Sequence, residues 1–306
     1  MRVGVVFSQA DSGTDPKAIR AWARRAEAAG FDHIMVYDHV LGASVERLGA
    51  GPFGGPFPAP PYTSEHTFHE ILTLISHLAG VTSTIAFVTS VLILPQRQTA
   101  LAAKQIATVD LLSDGRLRVA VGTGWNRAEY EGLGADFDSR RDRLEEQVDV
   151  LRRLWTEPLV SFGGRFHELD RVGINPLPRR PVPIYVGSGA ADAVLRRVVR
   201  VADGWMPLLI PDLDRRTLAE GVARLGELCE EVGRDPVTLP IHGRVYLGDG
   251  WQRRVEEALE LGCADLSVGF NRLAEPGRSH DEHLDEVIAA KEEVDAIVGS
   301  TGGRHD

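Results

Sequence analysis

Short apolar segments alternate with amphipathic helical segments along almost the whole chain. Eight segments have the composition of buried strands, and a helical segment follows each of them; the strands are predicted at 3–7, 33–39, 84–94, 117–121, 182–186, 204–207, within 237–247 and at 264–270. Apolar residues at successive positions are typical of parallel sheets that helices cover. Since no change in composition divides the series, we predict a single α/β domain over 1–306. Its architecture is a closed (β/α)8 TIM barrel rather than an open doubly wound sheet.

Two segments interrupt this alternation. Residues 42–62 follow the second strand, are rich in glycine and proline and show no periodicity. They predict a long loop of the kind that often forms a lid or a substrate-binding wall. Residues 157–181 form an insertion after the fourth helix, and 162–166 resemble the tip of a small hairpin.

Charge and cysteine content exclude several classes of protein. The formal net charge is -10, and acidic residues interleave with the basic ones, so we expect neither nucleic acid nor a membrane surface as a partner. Cys229 and Cys263 lack a metal-binding spacing, and the apolar N-terminus is too short for a secretion signal. No apolar stretch approaches the length of a membrane span. We therefore expect a cytoplasmic protein with reduced thiols.

Polar and glycine residues stand where several predicted strands end. A TIM barrel carries its active site at the carboxyl ends of its strands. This rule brings together Asp38-His39, Ser90-Val91, 122–126, 187–189 and, as a further candidate, His242. A histidine can pass a proton at neutral pH. At the end of a barrel strand we favour this role over a loop cap beside an exposed imidazole.

Glycine pairs mark the ends of the fourth and fifth strands, at Gly122-Thr123-Gly124 and Gly187-Ser188-Gly189. Glycine has no Cβ, so the backbone can pass close to a ligand at either place. Neither is a Rossmann dinucleotide turn, because Arg127 and Asp192 stand where G-x-G-x-x-G/A requires Gly or Ala. The first pair alone favours a tight turn. The second precedes a helix whose free N–H groups favour an anion, and an anion site and a plain turn are about equally supported there.

One spacing could suggest a metal site. His66, His69 and Glu70 lie at the start of the second helical segment, but no further set of ligands accompanies them. We therefore predict a solvated helix face and no metal.

Longer segments carry a family resemblance. VAVGTGWNRAEYEGLG followed by RRDRLEEQVDVLRRLW resembles the luciferase-like monooxygenase superfamily, and within it most closely the oxidoreductases that depend on the deazaflavin F420. AGFDHIMVYDH at the second strand and PIYVGSGAADAVLRRVVRVADGWMP across the fifth and sixth units support the resemblance. It extends from Arg2 to near Val298.

The resemblance implies that a flavin or deazaflavin lies over the barrel mouth. A non-prolyl cis peptide at Ser90-Val91 would support the ring from behind. Gly187-Ser188-Gly189 would bind the cofactor phosphate. Asp38 would contact the cofactor head, and His39 would face the substrate as its proton partner.

The resemblance also gives roles to residues after the fourth strand. Thr123, Gly124, Trp125 and Asn126 would contact the cofactor, with Trp125 as a wall against the flat ring; packing in the core is an equally good reading of Trp125 from sequence alone. Glu129 is a polar contact that we assign with His39 to catalysis. F420-dependent sugar-phosphate dehydrogenases resemble this pattern but carry an acid in place of Trp125, which argues against a sugar phosphate as substrate.

The resulting prediction is a hydride transfer between F420 and a small organic substrate, in a homodimer. The alternative cofactor is FMN, in a monooxygenase that uses reduced flavin and O2. Two further alternatives are a cofactor-binding protein without turnover and an unrelated barrel such as a phosphosugar isomerase.

Overall fold

The computed structural model describes residues 1–48, 62–208, 216–270 and 279–301. The strands are β1 (Arg2–Phe7), β2 (His33–Val36), β3 (Ala86–Thr89), β4 (Leu92–Ile93), β5 (Leu117–Gly122), β6 (Val160–Gly163), β7 (Glu168–Val172), β8 (Ile184–Ser188), β9 (Gly204–Pro207), β10 (His242–Leu247) and β11 (Asp265–Phe270). The helices are α1 (Pro16–Ala28), α2 (Val45–Leu48), α3 (Ile71–Ala79), α4 (Thr99–Leu112), α5 (Arg127–Gly132), α6 (Arg140–Thr156), α7 (Asp192–Val201), α8 (Leu218–Glu231), α9 (Trp251–Glu260) and α10 (His280–Thr301).

Eight parallel strand positions form the barrel. Their order is β10-β11-β1-β2-β3-β5-β8-β9, with β4 pairing to β5 beyond the end of β3. A parallel bridge between Trp205 and Ile241 brings β9 to β10, where Trp205 N donates to Pro240 O at 3.0 Å. The predicted (β/α)8 barrel is confirmed.

Local sequence signals set the ends of several helices. Asp15 caps α1 by accepting a hydrogen bond from Lys17 N at 2.9 Å, and Pro16 occupies the first helical position. Gly30, with φ +75°, follows the helix end, where an L side chain would be strained. Ile19 and Trp22 lie on the buried face of α1, as the apolar stripe predicts.

The insertion after the fourth barrel helix contains the predicted hairpin. β6 and β7 pair in antiparallel fashion and form a separate two-stranded sheet. Glu146 on α6 holds its turn by accepting hydrogen bonds from Arg165 N, Phe166 N and His167 Nδ1, each at 2.8 Å. The hairpin is therefore attached to the outer helix layer and not to the barrel sheet.

Several boundaries differ from the sequence predictions. The third strand, predicted as continuous from 84 to 94, is split at Ser90-Val91 into β3 and β4. A short helix, α5, lies where only a loop is predicted, and α2 lies inside the predicted loop 42–62. The rest of that loop, 49–61, is outside the described residues. So is Asp212, the predicted cap of α8; the observed cap is Thr217, in a capping box with Glu220. The last helix reaches Thr301 and so continues two residues into the segment that was predicted to fray after Gly299.

The barrel interior is layered. One apolar layer is formed by a residue from each of six strands: Val6, Met35, Val88, Ala120, Tyr185 and Met206. Toward the amino ends of the strands lies a buried polar layer, in which Ser267 Oγ is 2.7 Å from His33 Nε2 and 2.9 Å from His242 Nε2. His242 begins β10 and therefore lies at the opposite end of the barrel from the mouth. Its place among the candidate site residues was wrong, because the seventh strand begins later than the sequence suggests.

Candidate active site

The break in the third strand lies at the barrel mouth. The peptide bond between Ser90 and Val91 is cis, which confirms the bond geometry predicted there. Ser90 N donates to Val36 O at 2.7 Å and so ties the break to the end of β2. Ser90 Oγ is buried and has no hydrogen-bond partner among the described residues. A bound polar group would satisfy this hydroxyl.

The glycines at the mouth make room for a side chain of the barrel itself. A Cβ at Gly122 would lie 2.4 Å from Val91 Cγ2, and one at Gly187 would lie 2.1 Å from Val91 Cγ1. Gly124 has φ +60°, and its Cβ would lie 2.7 Å from Ile93 Cγ2. The absence of side chains at these three positions is thus required by the packing of Val91 and Ile93, whether or not a ligand approaches.

Asp38 connects the end of β2 to the segment after the strand break. It is 2% exposed, and its carboxylate accepts hydrogen bonds from Ile93 N at 2.9 Å and from Arg97 at 2.7 Å. Arg97 also pairs with Glu70, the cap of α3, at 2.9 Å. Both carboxylate oxygens of Asp38 already have protein donors. Its predicted contact with a cofactor stays a prediction, and sequence analysis missed Arg97.

His39 is held at the mouth by Glu129. Its Nδ1 lies 3.4 Å from Glu129 Oε2, and its side chain is 15% exposed, whereas that of Glu129 is fully buried. The carboxylate also accepts hydrogen bonds from the backbone N–H groups of Val40 and Leu41 and lies 3.2 Å from the Tyr62 hydroxyl. Burial raises the pKa of Glu129, but the hydrogen bonds from His39 and the two N–H groups outweigh it and keep the pKa below its ordinary value.

His39 and Glu129, which were both assigned to catalysis from the sequence, differ in their exposure and in what they contact. An ionised carboxylate at Nδ1 favours the imidazole tautomer that carries its hydrogen there, which leaves Nε2 without a hydrogen and able to accept one. Glu129 has no exposed surface, so of the two side chains only His39 faces the open mouth, and the predicted catalytic roles of both stay predictions.

Aromatic rings surround the imidazole of His39. Tyr62 stacks on it with ring centroids 3.7 Å apart, and Phe68 and Trp125 have centroids 5.1 Å and 5.9 Å from it. Trp125 is half-buried, as a wall beside a flat ring would be. Tyr62 is the last residue of the aperiodic loop 42–62, and neither it nor Phe68 was predicted to lie at the site.

Asn126 and Thr123 shape the segment after β5. Asn126 caps α5 by accepting from Ala128 N at 3.1 Å, and its Nδ2 donates to the Tyr62 hydroxyl at 2.7 Å. Thr123 O accepts from the Tyr130 hydroxyl at 2.6 Å. Asn126 is buried and serves this framework; its predicted contact with a cofactor, like that of Thr123, stays a prediction.

Gly187-Ser188-Gly189 spans the end of β8 and leads toward α7. Ser188 Oγ accepts a hydrogen bond from Trp205 Nε1 at 3.1 Å, so its own hydrogen remains free to donate. Asp192 occupies the first turn of α7, where an acid would oppose a bound anion, but it is paired with Arg216 at 2.7 Å and with Arg224 at 2.8 Å. The segment is compatible with the predicted phosphate site.

Arg244, Tyr37 and Tyr246 form a second polar group inside the mouth, which was not predicted from the sequence. The guanidinium carbon of Arg244 is 5.0 Å from the ring centroid of Tyr246 and 6.0 Å from that of Tyr37. The two tyrosine hydroxyls are 3.3 Å apart. Strand alternation could have pointed to Arg244 only after the boundaries of β10 were known.

The residues of the suspected metal spacing have other partners. Thr63 N donates to His66 Nδ1 at 3.0 Å, His69 Nε2 lies 3.0 Å from Gly13 O, and Glu70 caps α3. Among the described residues, no three His, Cys, Asp or Glu side chains are grouped to hold a metal ion.

Comparison with known proteins covers nearly the whole chain. The sequence model described as luciferase-like monooxygenase matches residues 1–302. An uncharacterized protein of Mycobacterium tuberculosis is 34% identical over 86% of this chain and 88% of its own length. The FMNH2-dependent dimethylsulfone monooxygenase of Pseudomonas fluorescens is 32% identical over 65% of this chain and 50% of its own length. Among solved structures, an F420-dependent secondary alcohol dehydrogenase superposes with a TM-score of 0.74 at 19% identity, covering 97% of this chain and 98% of the other.

Proposed function

Because the chain belongs to the luciferase-like monooxygenase family, we propose that it is an oxidoreductase that transfers a hydride between F420 and a small organic substrate. The observation that carries this proposal is the half-buried His39, held through Nδ1 by Glu129 at the barrel mouth, beside the strand break at Ser90-Val91. A fixed proton carrier next to a platform for a flat ring is what hydride transfer to or from a carbonyl carbon requires.

His39 performs the acid–base part of the reaction. When an alcohol is oxidised, Nε2 takes the hydroxyl proton as the C–H hydride leaves, and in the reverse direction it returns that proton to the carbonyl oxygen. Bound F420 would supply the ring carbon that accepts or donates the hydride. Glu129 remains ionised and stabilises the imidazolium that forms.

The residues proposed to hold the cofactor come from three neighbouring strand positions. Ser90 and Val91 support the ring, Trp125 flanks it, and Gly187-Ser188-Gly189 binds the phosphate. The unsatisfied Ser90 hydroxyl and the free hydrogen of Ser188 fit a polar, phosphate-bearing ligand. In solved relatives of low identity, an F420–acetone adduct occupies a barrel of the same fold, which is compatible with this proposal.

A second candidate is an FMN-dependent monooxygenase that receives reduced flavin and activates O2. The observation that favours it is the 32% identity with the FMNH2-dependent dimethylsulfone monooxygenase. FMN needs only the phosphate site, whereas F420 also needs an open exit for its acidic tail. The two cofactors therefore differ in the space that they require at the barrel mouth.

Titration of the purified protein with F420 and with FMN tests the first choice directly. We expect F420 to bind and reduced F420 to be consumed when ketones are supplied. His39→Ala should lower that turnover by about 100- to 10,000-fold, the range typical of a lost acid–base group, and leave F420 binding intact. Fluorescence of F420 reports binding, and its absorbance reports turnover.

His77→Ala is the matched control, because His77 lies on the exposed face of α3. If FMN binds tightly and F420 does not bind, the F420 proposal fails and the FMN-dependent monooxygenase becomes the better supported function. Cofactor binding without turnover across the substrate panel, in both wild type and His39→Ala, would indicate a protein that only binds the cofactor.

A further inference from the structure

We propose that Arg244, flanked by Tyr37 and Tyr246, binds an anionic group of the substrate, so that the barrel acts on small organic anions, carboxylates first among them. The proposal rests on the proposed function, since it places the reacting substrate at the mouth beside His39.

Strand alternation puts Arg244 inside the barrel. Successive residues of a strand point to opposite faces, so His242, Arg244 and Tyr246 share one face of β10. His242 on that face contacts Ser267 in the interior polar layer, and Tyr246 reaches Tyr37 near the end of β2. Arg244 therefore lies between the polar layer and the open mouth.

Unlike Arg118 and Arg97, Arg244 has no acidic partner among the described residues. Arg118 pairs with Asp265 at 2.9 Å, and Arg97 pairs with Asp38 at 2.7 Å. Within the described ranges no carboxylate pairs with Arg244, and its polar neighbours are the uncharged hydroxyls of Tyr37 and Tyr246. A guanidinium partly removed from water without a counter-charge is costly, and a bound anion would supply that charge.

The chemistry of the three side chains suits an oxyanion. A guanidinium presents a planar pair of donors that matches a carboxylate, and the two aromatic rings hold that plane in place. Burial raises the pKa of Tyr37, so its hydroxyl stays protonated and able to donate. One of the two tyrosine hydroxyls can donate to the other while the second donates to the ligand.

The position favours the substrate over the cofactor as the source of the anion. The ring support, the ring wall and the phosphate site proposed above follow β3, β5 and β8, whereas Arg244 and its tyrosines belong to β10 and the end of β2, which are joined through β11 and β1. These are opposite halves of the ring of strands. His39 follows Tyr37 by two residues, so a molecule between the cofactor ring and His39 would have Arg244 within reach.

Calorimetric titration with benzoate, and with benzamide as the uncharged analogue, tests the proposal on the full chain. We expect benzoate to bind and benzamide not to bind. Arg244→Met should weaken benzoate binding by about 10- to 100-fold, as loss of a charge-assisted hydrogen bond does, and Arg244→Lys should weaken it less. Arg253→Met on the exposed side of α9 is the matched control and should bind as the wild type does.

Cofactor titration of the same samples separates this proposal from the proposed function. Benzoate binding that is equal in wild type and Arg244→Met overturns the anion site, whatever the cofactor result. If the Arg244→Met protein is folded but no longer binds the cofactor, the arginine belongs to the cofactor site. This result also overturns the proposal of a substrate anion site. If benzoate binding depends on Arg244 while neither F420 nor FMN binds the wild type, the anion site stands and the proposed function fails.

Discussion

Gly122 and Gly187 face the same side chain from neighbouring strands. From the sequence, each glycine could be explained by a tight turn or by the approach of a ligand, yet each also leaves the space that Val91 fills. The physical reason for a glycine is therefore local crowding, and crowding depends on which strand is the neighbour. At the scale of single residues the sequence indicated that these positions have no room for a Cβ, but it could not identify the group that takes up the space.

We predict that Gly187→Ala destabilises the protein by about 1–3 kcal/mol, because its Cβ would overlap Val91 Cγ1. The double variant Gly187→Ala/Val91→Ala should recover part of this loss beyond the sum of the two single effects, since the overlapping methyl is gone. Urea unfolding of the four proteins measures the coupling.

Gly163→Ala serves as the control for this cycle, because a Cβ there meets no atom within 4 Å. If the effects of the Gly187 and Val91 substitutions on the free energy of unfolding are strictly additive, the new Cβ at position 187 does not collide with Val91.

Among the elements, α6 has two separate attachments on its surface. Glu146 binds the turn of the β6–β7 hairpin, while the adjacent Glu145 binds Arg197 at 2.7 Å on α7. Burial raises the pKa of Glu146, but His167 and the two backbone N–H groups outweigh it and leave the pKa below its ordinary value. The carboxylate is thus ionised when it holds the hairpin.

Glu146→Gln should loosen the hairpin and leave the barrel unchanged, because an amide offers one acceptor oxygen where three donors converge. We expect faster amide hydrogen exchange across 160–172 and unchanged protection in the barrel strands. Glu145→Gln, on the same helix but directed at α7, should leave exchange in the hairpin at the wild-type rate. Equal exchange of the hairpin in the wild type and Glu146→Gln would mean that the side chain does not attach it.

At the scale of the whole molecule, the closed barrel buries two histidines, His33 and His242, in its interior. Burial lowers the pKa of His33 to about 3, and it lowers that of His242 well below the ordinary value, with His33 and Arg118 adding to the effect. In the unfolded chain an imidazole gains its proton near pH 6.5. Below that pH the unfolded state binds more protons than the folded state, so stability is lost as the pH falls.

We predict that each of these two imidazoles removes about 1.4 kcal/mol of stability between pH 7.5 and pH 5.5. His242→Gln should therefore reduce the loss over that interval by about this amount. His77→Gln, at an exposed position, should not change it. Urea unfolding at the two pH values measures the difference, and the same pH dependence in His242→Gln and wild type would contradict the prediction.

Some predictions for the whole molecule concern its surroundings. In the described ranges no helix is both long and apolar enough to cross a bilayer. The homodimer, the cytoplasmic location and the absence of nucleic-acid partners stay predictions.

The candidate site was predictable where a residue directly follows a strand. Asp38, His39, Ser90 and Val91 lie at the mouth because the carboxyl ends of parallel strands meet there. Tyr62, Arg97 and Arg244 escaped prediction. Tyr62 ends the aperiodic loop, Arg97 directly follows a short 3-10 turn at Leu94–Gln96, and Arg244 lies in the middle of a strand whose bounds were uncertain. Asn126 followed by Glu129 is the spacing of a helix start, and it could have revealed α5.

The sequence by itself determined the repeating strand–helix units and the end of the barrel at which the site lies, because periodicity and strand direction are local properties that the chain carries everywhere. Only the tertiary structure decided the roles of the individual side chains. Glu129 is buried behind His39, 90 positions away along the chain, Val91 occupies the space of two glycines, and no acid of the described residues pairs with Arg244. Each of these is a fact about residues that are distant in the sequence. Such neighbours are fixed by the closure of the barrel and not by any pattern along the chain.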